Sequence, residues 1–374
     1  MTITTPAADL GRRAVSRRGF LGATLAAATL AACSRPAAPG APVGAAVSAT
    51  DLTGARIDLA APARRVVTIP IPAASMVVAV NGGPDVLVGM NASAQQAIKG
   101  GYLGEAFPQL LSVPSDVAGE DFNPSVERIL ALEPDVVVQW GDRGTGLVAP
   151  LTGAGLQVAQ LTYGTQEFLE GAATLYGNLL GKQDRSTQLV AWMQEQRKVR
   201  EAAASAGRGR KVLYLSAVAQ GVKVAGKGQY NDFTTRLVGG TNPAGELPGT
   251  PGVDVEQILA WNPEIVLLGN FDPTMPEQIL SDPRWAAVEA VRAKRVYRVP
   301  LGGYRWDPPN QESPLMWEWL AGLVAEDRVP ASLPESIRTN YQFLYGTRPT
   351  DAQIASILRV GPNKGTPGYA GLGT

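Results

Sequence analysis

Short unbroken runs of aliphatic and β-branched residues recur along the chain, most of them running into loops that carry Gly, Pro or Asn. They are Arg65-Val-Val-Thr-Ile69, Val86-Leu-Val88, Val136-Val-Val138, Val158–Thr162, Lys211-Val-Leu-Tyr-Leu215, Ile265-Val-Leu-Leu268 and Arg295-Val-Tyr-Arg-Val299. Unbroken rather than alternating runs predict strands of parallel sheets covered on both faces. Between the two groups, Asp184 to Ala204 contains no Gly or Pro and places Leu189, Met193, Gln196 and Val199 on one face. That spacing predicts one connecting helix over 184–205, about 20 residues and roughly 30 Å long. After Pro314 a helical pattern rich in Trp and Leu runs to about Glu326, and Glu335–Leu358 reads as further helix. Trp192, Trp261, Trp317 and Trp319 lie in helical patterns and are expected in the core. The Gly/Pro-rich tail 361–374 is expected to fray.

One segment occurs twice. Ser125-Val-Glu-Arg-Ile-Leu-Ala-Leu-Glu-Pro-Asp-Val-Val137 and Asp254-Val-Glu-Gln-Ile-Leu-Ala-Trp-Asn-Pro-Glu-Ile-Val266 agree at seven of thirteen positions, at an offset of 129. Each copy reads as an N-cap (Ser125 or Asp254), a short helix, a proline stop and a buried strand. Solenoid periods are about 20–50 residues, so this spacing predicts two similar lobes instead. The fold expected is α/β: two similar parallel-sheet lobes, 51–183 and 206–360, joined by one long helix, with a ligand cleft between them.

The N-terminus reads as an address. Ser16-Arg17-Arg18-Gly19-Phe20-Leu21 fits a twin-arginine export consensus, with Gly22 where Lys is usual. The thirteen mildly apolar residues Phe20–Ala32 are fewer than the roughly 20 a membrane span needs. Leu30-Ala31-Ala32-Cys33 has the form of a lipobox, and Cys33 is the only cysteine of the 374 residues. Residues 1–32 are therefore expected to be an export signal, and 33–50 a lipidated Cys followed by a flexible Ala/Pro/Gly tether. Loss of the signal leaves 29 basic and 32 acidic side chains, a net of −3. Balanced charge gives no footprint for nucleic acid. The chain has no histidine, which removes Ser-His-Asp and Cys-His catalysis and ordinary zinc sites. No catalytic residue, cofactor or metal site is expected, and a monomer is.

In order, the strand-loop Arg65–Pro70, the first repeat, Leu237-Val-Gly-Gly-Thr-Asn242, the second repeat, Asp282-Pro-Arg-Trp285 leading into Arg295-Val-Tyr297, and Ser313-Pro314 opening a helix resemble the binding proteins of ABC importers for ferric siderophores, haem and cobalamin. The resemblance spans roughly residues 50–345. It implies capture of an iron chelate, haem or corrinoid in the cleft, a small rocking motion, and delivery to a permease dimer in the cytoplasmic membrane. It also implies that the repeated Glu127 and Glu256, one per lobe, dock onto Arg residues of the two permease subunits. Free ferric ion or an oxyanion such as molybdate is the nearer alternative cargo.

Ligands of open α/β sheets bind beyond the carboxyl ends of the strands. In the first lobe this selects the loops Pro70–Ala73, Gly89–Ala92 and Trp140–Arg143, with Tyr163; in the second, Val218–Tyr230, Asn270–Asp272 and Leu301–Trp306. Aromatic rings beside Arg suit a large, flat or anionic chelate, so the expected contacts are Trp140, Arg143, Tyr163, Tyr230, Tyr304, Arg305 and Trp306. A rival from another class rests on Gly144-Thr-Gly146-Leu-Val-Ala149, which fits a dinucleotide fingerprint with Glu167 about 20 residues on. Three residues separate it from Trp140 and Pro150 follows at once, so an exported NADP-dependent oxidoreductase is the remoter reading.

Overall fold

A computed structural model describes residues 46–119, 121–370 and 372. The export signal, the lipobox and most of the tether lie outside the described residues. The chain opens on a hairpin of β1 (Val47–Thr50) and β2 (Arg56–Leu59). The last residues assigned to the tether are therefore strand, because Ala49 packs into the core opposite Ile57.

The valine-rich runs form two four-stranded sheets. The first contains β3 (Val66–Thr68), β4 (Leu87–Met90), β5 (Val136–Trp140) and β6 (Val158–Leu161), all parallel, in the order β4-β3-β5-β6. The second contains β7 (Val212–Ala217), β8 (Lys223–Val224), β9 (Ile265–Leu268) and β10 (Val296–Arg298), in the order β10-β9-β7-β8. Only its edge strand β8 runs antiparallel. Central strands are buried at every position, Val136–Trp140 and Ile265–Leu268 alike, as strands covered on both faces must be.

The repeat builds the same corner in each lobe. The helices Val126–Ala131 and Val255–Trp261 run into β5 and β9, which pair with β3 and β7 respectively. Asp135 accepts the backbone N–H groups of Arg64 and Arg65 at 2.7 and 2.9 Å, and Glu264 accepts that of Lys211 at 3.0 Å. In return Arg65 donates to the carbonyls of Leu132 and Glu133, and Lys211 to that of Trp261. Each cation thus satisfies carbonyls left open at a helix C-terminus. The caps differ: Asp254 accepts the N–H of Gln257, whereas the Ser125 side chain makes no capping bond.

A 21-residue helix, Gln183–Ala203, lies between the lobes. Leu189 and Met193 are buried, while Val199 is 41% exposed because its end of the helix is uncovered. Near its start, Arg185 donates to the carbonyls of Ala79, Phe343 and Leu344. One guanidinium therefore caps a first-lobe helix (Ala73–Asn81) and a C-terminal one (Leu333–Tyr345) together. The pattern read as helix over 335–358 is two helices, Leu333–Tyr345 and Asp351–Ile357. Gly346, at φ 69°, turns the chain between them, as a residue without Cβ can. The tail also departs from expectation through residue 370: Asn363, Thr366 and Tyr369 are buried. Asn363 brackets the backbone of Arg298, and Tyr369 accepts the indole N–H of Trp319 at 2.8 Å. Trp317 and Trp319 are fully buried; Trp192 and Trp261 are half-buried.

Candidate functional site

The carboxyl ends of the two sheets face one cavity of about 650 Å³, walled by Ile71, Asn91, Ser93 and Phe122 of the first lobe and Phe271 of the second. On the first-lobe side β5 ends in Trp140, whose ring stands edge-on to Tyr163 at 5.7 Å and to Phe122 at 6.1 Å. The Arg143 guanidinium lies over both rings, 4.5 Å from Trp140 and 4.9 Å from Phe122. On the second-lobe side Arg305 lies 4.3 Å over Phe271 and 5.7 Å over Tyr304. Its fork reaches across to the carbonyl and hydroxyl of Ser93, at 3.4 and 3.5 Å. Among the described residues neither guanidinium makes an ion pair. A guanidinium held on aromatic faces keeps its charge, and the exposed Arg143 keeps its N–H fork for an incoming anion, whereas Arg305 shares its fork with Ser93.

The expected contacts divide. Arg143 is exposed and Tyr163 is 36% exposed, whereas Arg305 is buried between Phe271 and Ser93. The Tyr163 phenol is pushed up first by desolvation, then by Tyr304, Asp307 and Tyr230 of the opposite lobe, so it belongs to the interlobe face. Trp140 and Tyr304 are buried and serve as platforms under the two arginines. Two residues are corrected. Tyr230 is buried and donates its hydroxyl to Gln166 at 2.8 Å, a strut between the lobes. Trp306 has no exposed surface and donates its indole N–H to the buried Glu312 at 2.6 Å. Its ring packs in the main hydrophobic core and its N–H is taken up by Glu312, so it is core. The loop after Trp140 that resembles a dinucleotide fingerprint leads only into a five-residue helix, Ala149–Gly153. Glu127 and Glu256 are both exposed in the first turns of the repeat helices.

Two aromatic walls were missed. Phe271 lies three residues beyond the end of β9 in a selected loop and is 52% exposed, and its position after Asn270 could have singled it out. Phe122 precedes a helix rather than ending a strand, so the strand-end rule passes over it. Its backbone sits at φ 69°, a conformation bulky side chains rarely adopt and one that clusters at functional sites. Gly119 and Gln139 hold it there, through hydrogen bonds to its N–H and its carbonyl.

Two parallel-sheet lobes with an aromatic and cationic cleft between them define a solute-binding protein. The sequence profile of the periplasmic binding protein family matches residues 113–301, and the chain belongs to that family. A crystal structure of a periplasmic solute-binding protein from Veillonella parvula superposes with a TM-score of 0.78 at 30% identity, covering 86% of this chain and 99% of that one. The molybdate-binding protein MolA of Haemophilus influenzae is 25% identical over 272 residues, 66% of this chain and 77% of MolA. The Fe(3+) dicitrate-binding periplasmic protein FecB of Escherichia coli is 24% identical over 226 residues, 58% of this chain and 69% of its own. The chain is thus an exported, periplasmic-type solute-binding protein of an ABC importer, in a family of binding proteins rather than enzymes.

Proposed function

We propose that the cargo is an anionic metal chelate in the class of ferric siderophores, ferric citrate and haem or corrinoid derivatives, delivered chemically unchanged to a permease dimer. One observation carries this reading: Arg143 lies over Phe122 and Arg305 over Phe271, rings that wall one cavity from the two lobes, and among the described residues neither guanidinium makes an ion pair. About 650 Å³ is the scale of a small-molecule site and exceeds what a bare ion fills. An oxyanion such as molybdate is the second reading, favoured by the likeness to MolA over 272 residues. The same two forks would hold it.

Tryptophan-quenching titration separates them. The panel is ferric citrate, ferric catecholate and hydroxamate chelates, haemin, cobalamin, free Fe³⁺ and molybdate. Saturable binding of an anionic chelate is expected, weakened about 10- to 100-fold by Arg143→Ala or Arg305→Ala, the range for a hydrogen bond to a charged group. Binding of molybdate alone would select the second reading. Affinities unchanged in both variants would remove the clamp altogether.

Cys33 is proposed as the lipid attachment point, and Glu127 and Glu256 as the permease-docking pair. Acyl chains add about 0.8 kcal/mol per buried CH₂, and among the described residues no helix is long and apolar enough to cross a membrane. Cys33→Ala is therefore expected to move the folded protein from the membrane pellet to the soluble fraction. A variant that still sediments after a salt wash would contradict lipid anchoring.

A further inference from the structure

Glu312 is a fully buried carboxylate with no basic partner among its hydrogen bonds. Its oxygens accept the Trp306 indole N–H and the Tyr341 hydroxyl, each at 2.6 Å, the Tyr345 hydroxyl, and the Gly303 N–H at 2.9 Å. Burial pushes its carboxyl pKa up, and these four donors pull against that shift. Two donors, Tyr341 and Tyr345, come from the helix Leu333–Tyr345; the other two, Gly303 and Trp306, come from the loop after β10. The loop reaches the carboxylate only because Gly302 and Gly303 carry no side chains. A Cβ on Gly303 would lie 2.5 Å from Glu312 Oε1, and one on Gly302 would overlap the Tyr341 hydroxyl. Between the two anchor points the chain has one short span, Tyr304-Arg305, and it projects Arg305 into the cleft.

We propose that Glu312 is the positioning residue for Arg305, fixing the loop so that the guanidinium lies on Phe271 before any ligand arrives. The inference rests on the reading of Arg305 as a cleft group. Burying a carboxyl costs desolvation free energy, and its four donors offset that cost while tying the loop to the helix Leu333–Tyr345. Rigid presentation lowers the ordering cost of binding. Glu312 touches no ligand in this arrangement and acts only through the loop.

The test needs no ligand. In [15N]arginine-labelled protein, the Nε–Hε signal of Arg305 is identified as the one lost in Arg305→Gln. Its order parameter is expected to be near that of rigid backbone, about 0.85, and to fall below about 0.6 in Glu312→Gln. The Nε–Hε group of Arg65, held by the Glu133 carbonyl at 2.8 Å in the first lobe, should stay rigid in the same sample. Arg305 still rigid in Glu312→Gln would overturn the proposal. Loss of order at both arginines would also overturn it, since Glu312 would then be general core. If Glu312→Gln does not accumulate, Trp306→Phe cuts the loop's indole bond alone; a freed Arg305 there supports the proposal and an unchanged one refutes it. Titration of Arg305→Gln with ferric citrate and molybdate tests the cleft reading separately: affinities equal to wild type would sink that reading and leave the order parameters to decide the positioning role.

Discussion

Trp306→Ala should destabilise the protein by about 3–5 kcal/mol, the cost of truncating a buried aromatic to Ala. For a chain of this length that corresponds to roughly 4–6 °C in Tm, using an unfolding entropy of about 2.1 cal/mol/K per residue. The ring has no exposed surface, and its indole N–H is one of four donors on Glu312. Truncation opens a cavity and leaves a buried carboxylate short of a partner, and the two costs add. Trp306→Phe keeps most of the volume and loses only the hydrogen bond, so a loss of about 1–3 kcal/mol is expected. Thermal melts of both variants, monitored by far-UV circular dichroism, give the ordering Ala below Phe below wild type. An unchanged melt for Trp306→Ala with lost ligand binding would return the residue to the ligand surface.

Local signals carried the fold into the sequence. Each parallel strand of the two four-stranded sheets is a short apolar run suited to a sheet covered on both faces, and the repeat Ser125–Val137 against Asp254–Val266 writes the same helix, stop and strand twice. The corner that results, with Asp135 and Glu264 each accepting N–H groups at the start of the neighbouring strand, follows from those repeated letters. The orientation of the loop 301–306 was not legible in the same way. Its Gly-Gly-Tyr-Arg-Trp reads as an exposed aromatic loop because its partners are remote. Tyr341 and Tyr345 lie 29 and 33 residues beyond Glu312, and no periodicity links them to it. The tail failed for a related reason: composition rich in Gly and Pro signals fraying, but Asn363 and Tyr369 supply side-chain hydrogen bonds that pin it to β10 and to Trp319.

The cleft itself was legible at the level of loops and less so at the level of residues. Arg143 and Arg305 were selected because each stands beside aromatic residues in a loop beyond a strand end, a pairing suited to a flat or anionic chelate. Trp140 and Tyr304 were found as contacts and lie instead beneath those cations. Trp140 ends a buried strand and Arg143, three residues on, folds back over its ring; Arg305 lies beside the ring of the adjacent Tyr304. Phe122 and Phe271 complete the walls, one from a strained turn and one from a strand end. The walls thus pair one arginine with exposed aromatic surface on each lobe, an arrangement the sequence repeat does not encode, since both arginines lie outside it.

Reversing both repeated glutamates, Glu127→Arg with Glu256→Arg, is expected to abolish uptake while leaving ligand affinity within about twofold of wild type. Each residue lies in the first turn of its repeat helix, with a buried isoleucine, Ile129 or Ile258, two positions on. The helix therefore presents its carboxylate to water while its other face holds the lobe. Each helix runs into β5 or β9, so its N-terminus lies toward the carboxyl end of the sheet, the side on which the cleft opens. Two equivalent lobes then offer two equivalent carboxylates to a partner that would itself be two-fold symmetric. Close charge pairs across interfaces couple by about 1.5–7 kcal/mol where measured, and like charges brought together repel by several more. Double reversal removes two such pairs and replaces them with repulsion, whereas Glu127→Ala with Glu256→Ala only removes them. Transport is accordingly expected to fall in the order wild type, double Ala, double Arg. The competing explanation is that both carboxylates merely favour their helix N-termini. Under it, the Ala and Arg variants would lose a few tenths of a kcal/mol of stability and transport normally. Uptake of radiolabelled ferric citrate or molybdate, whichever the titration selects, in cells lacking the wild-type protein distinguishes the two. Normal uptake by the double Arg variant would remove these residues from the permease contact.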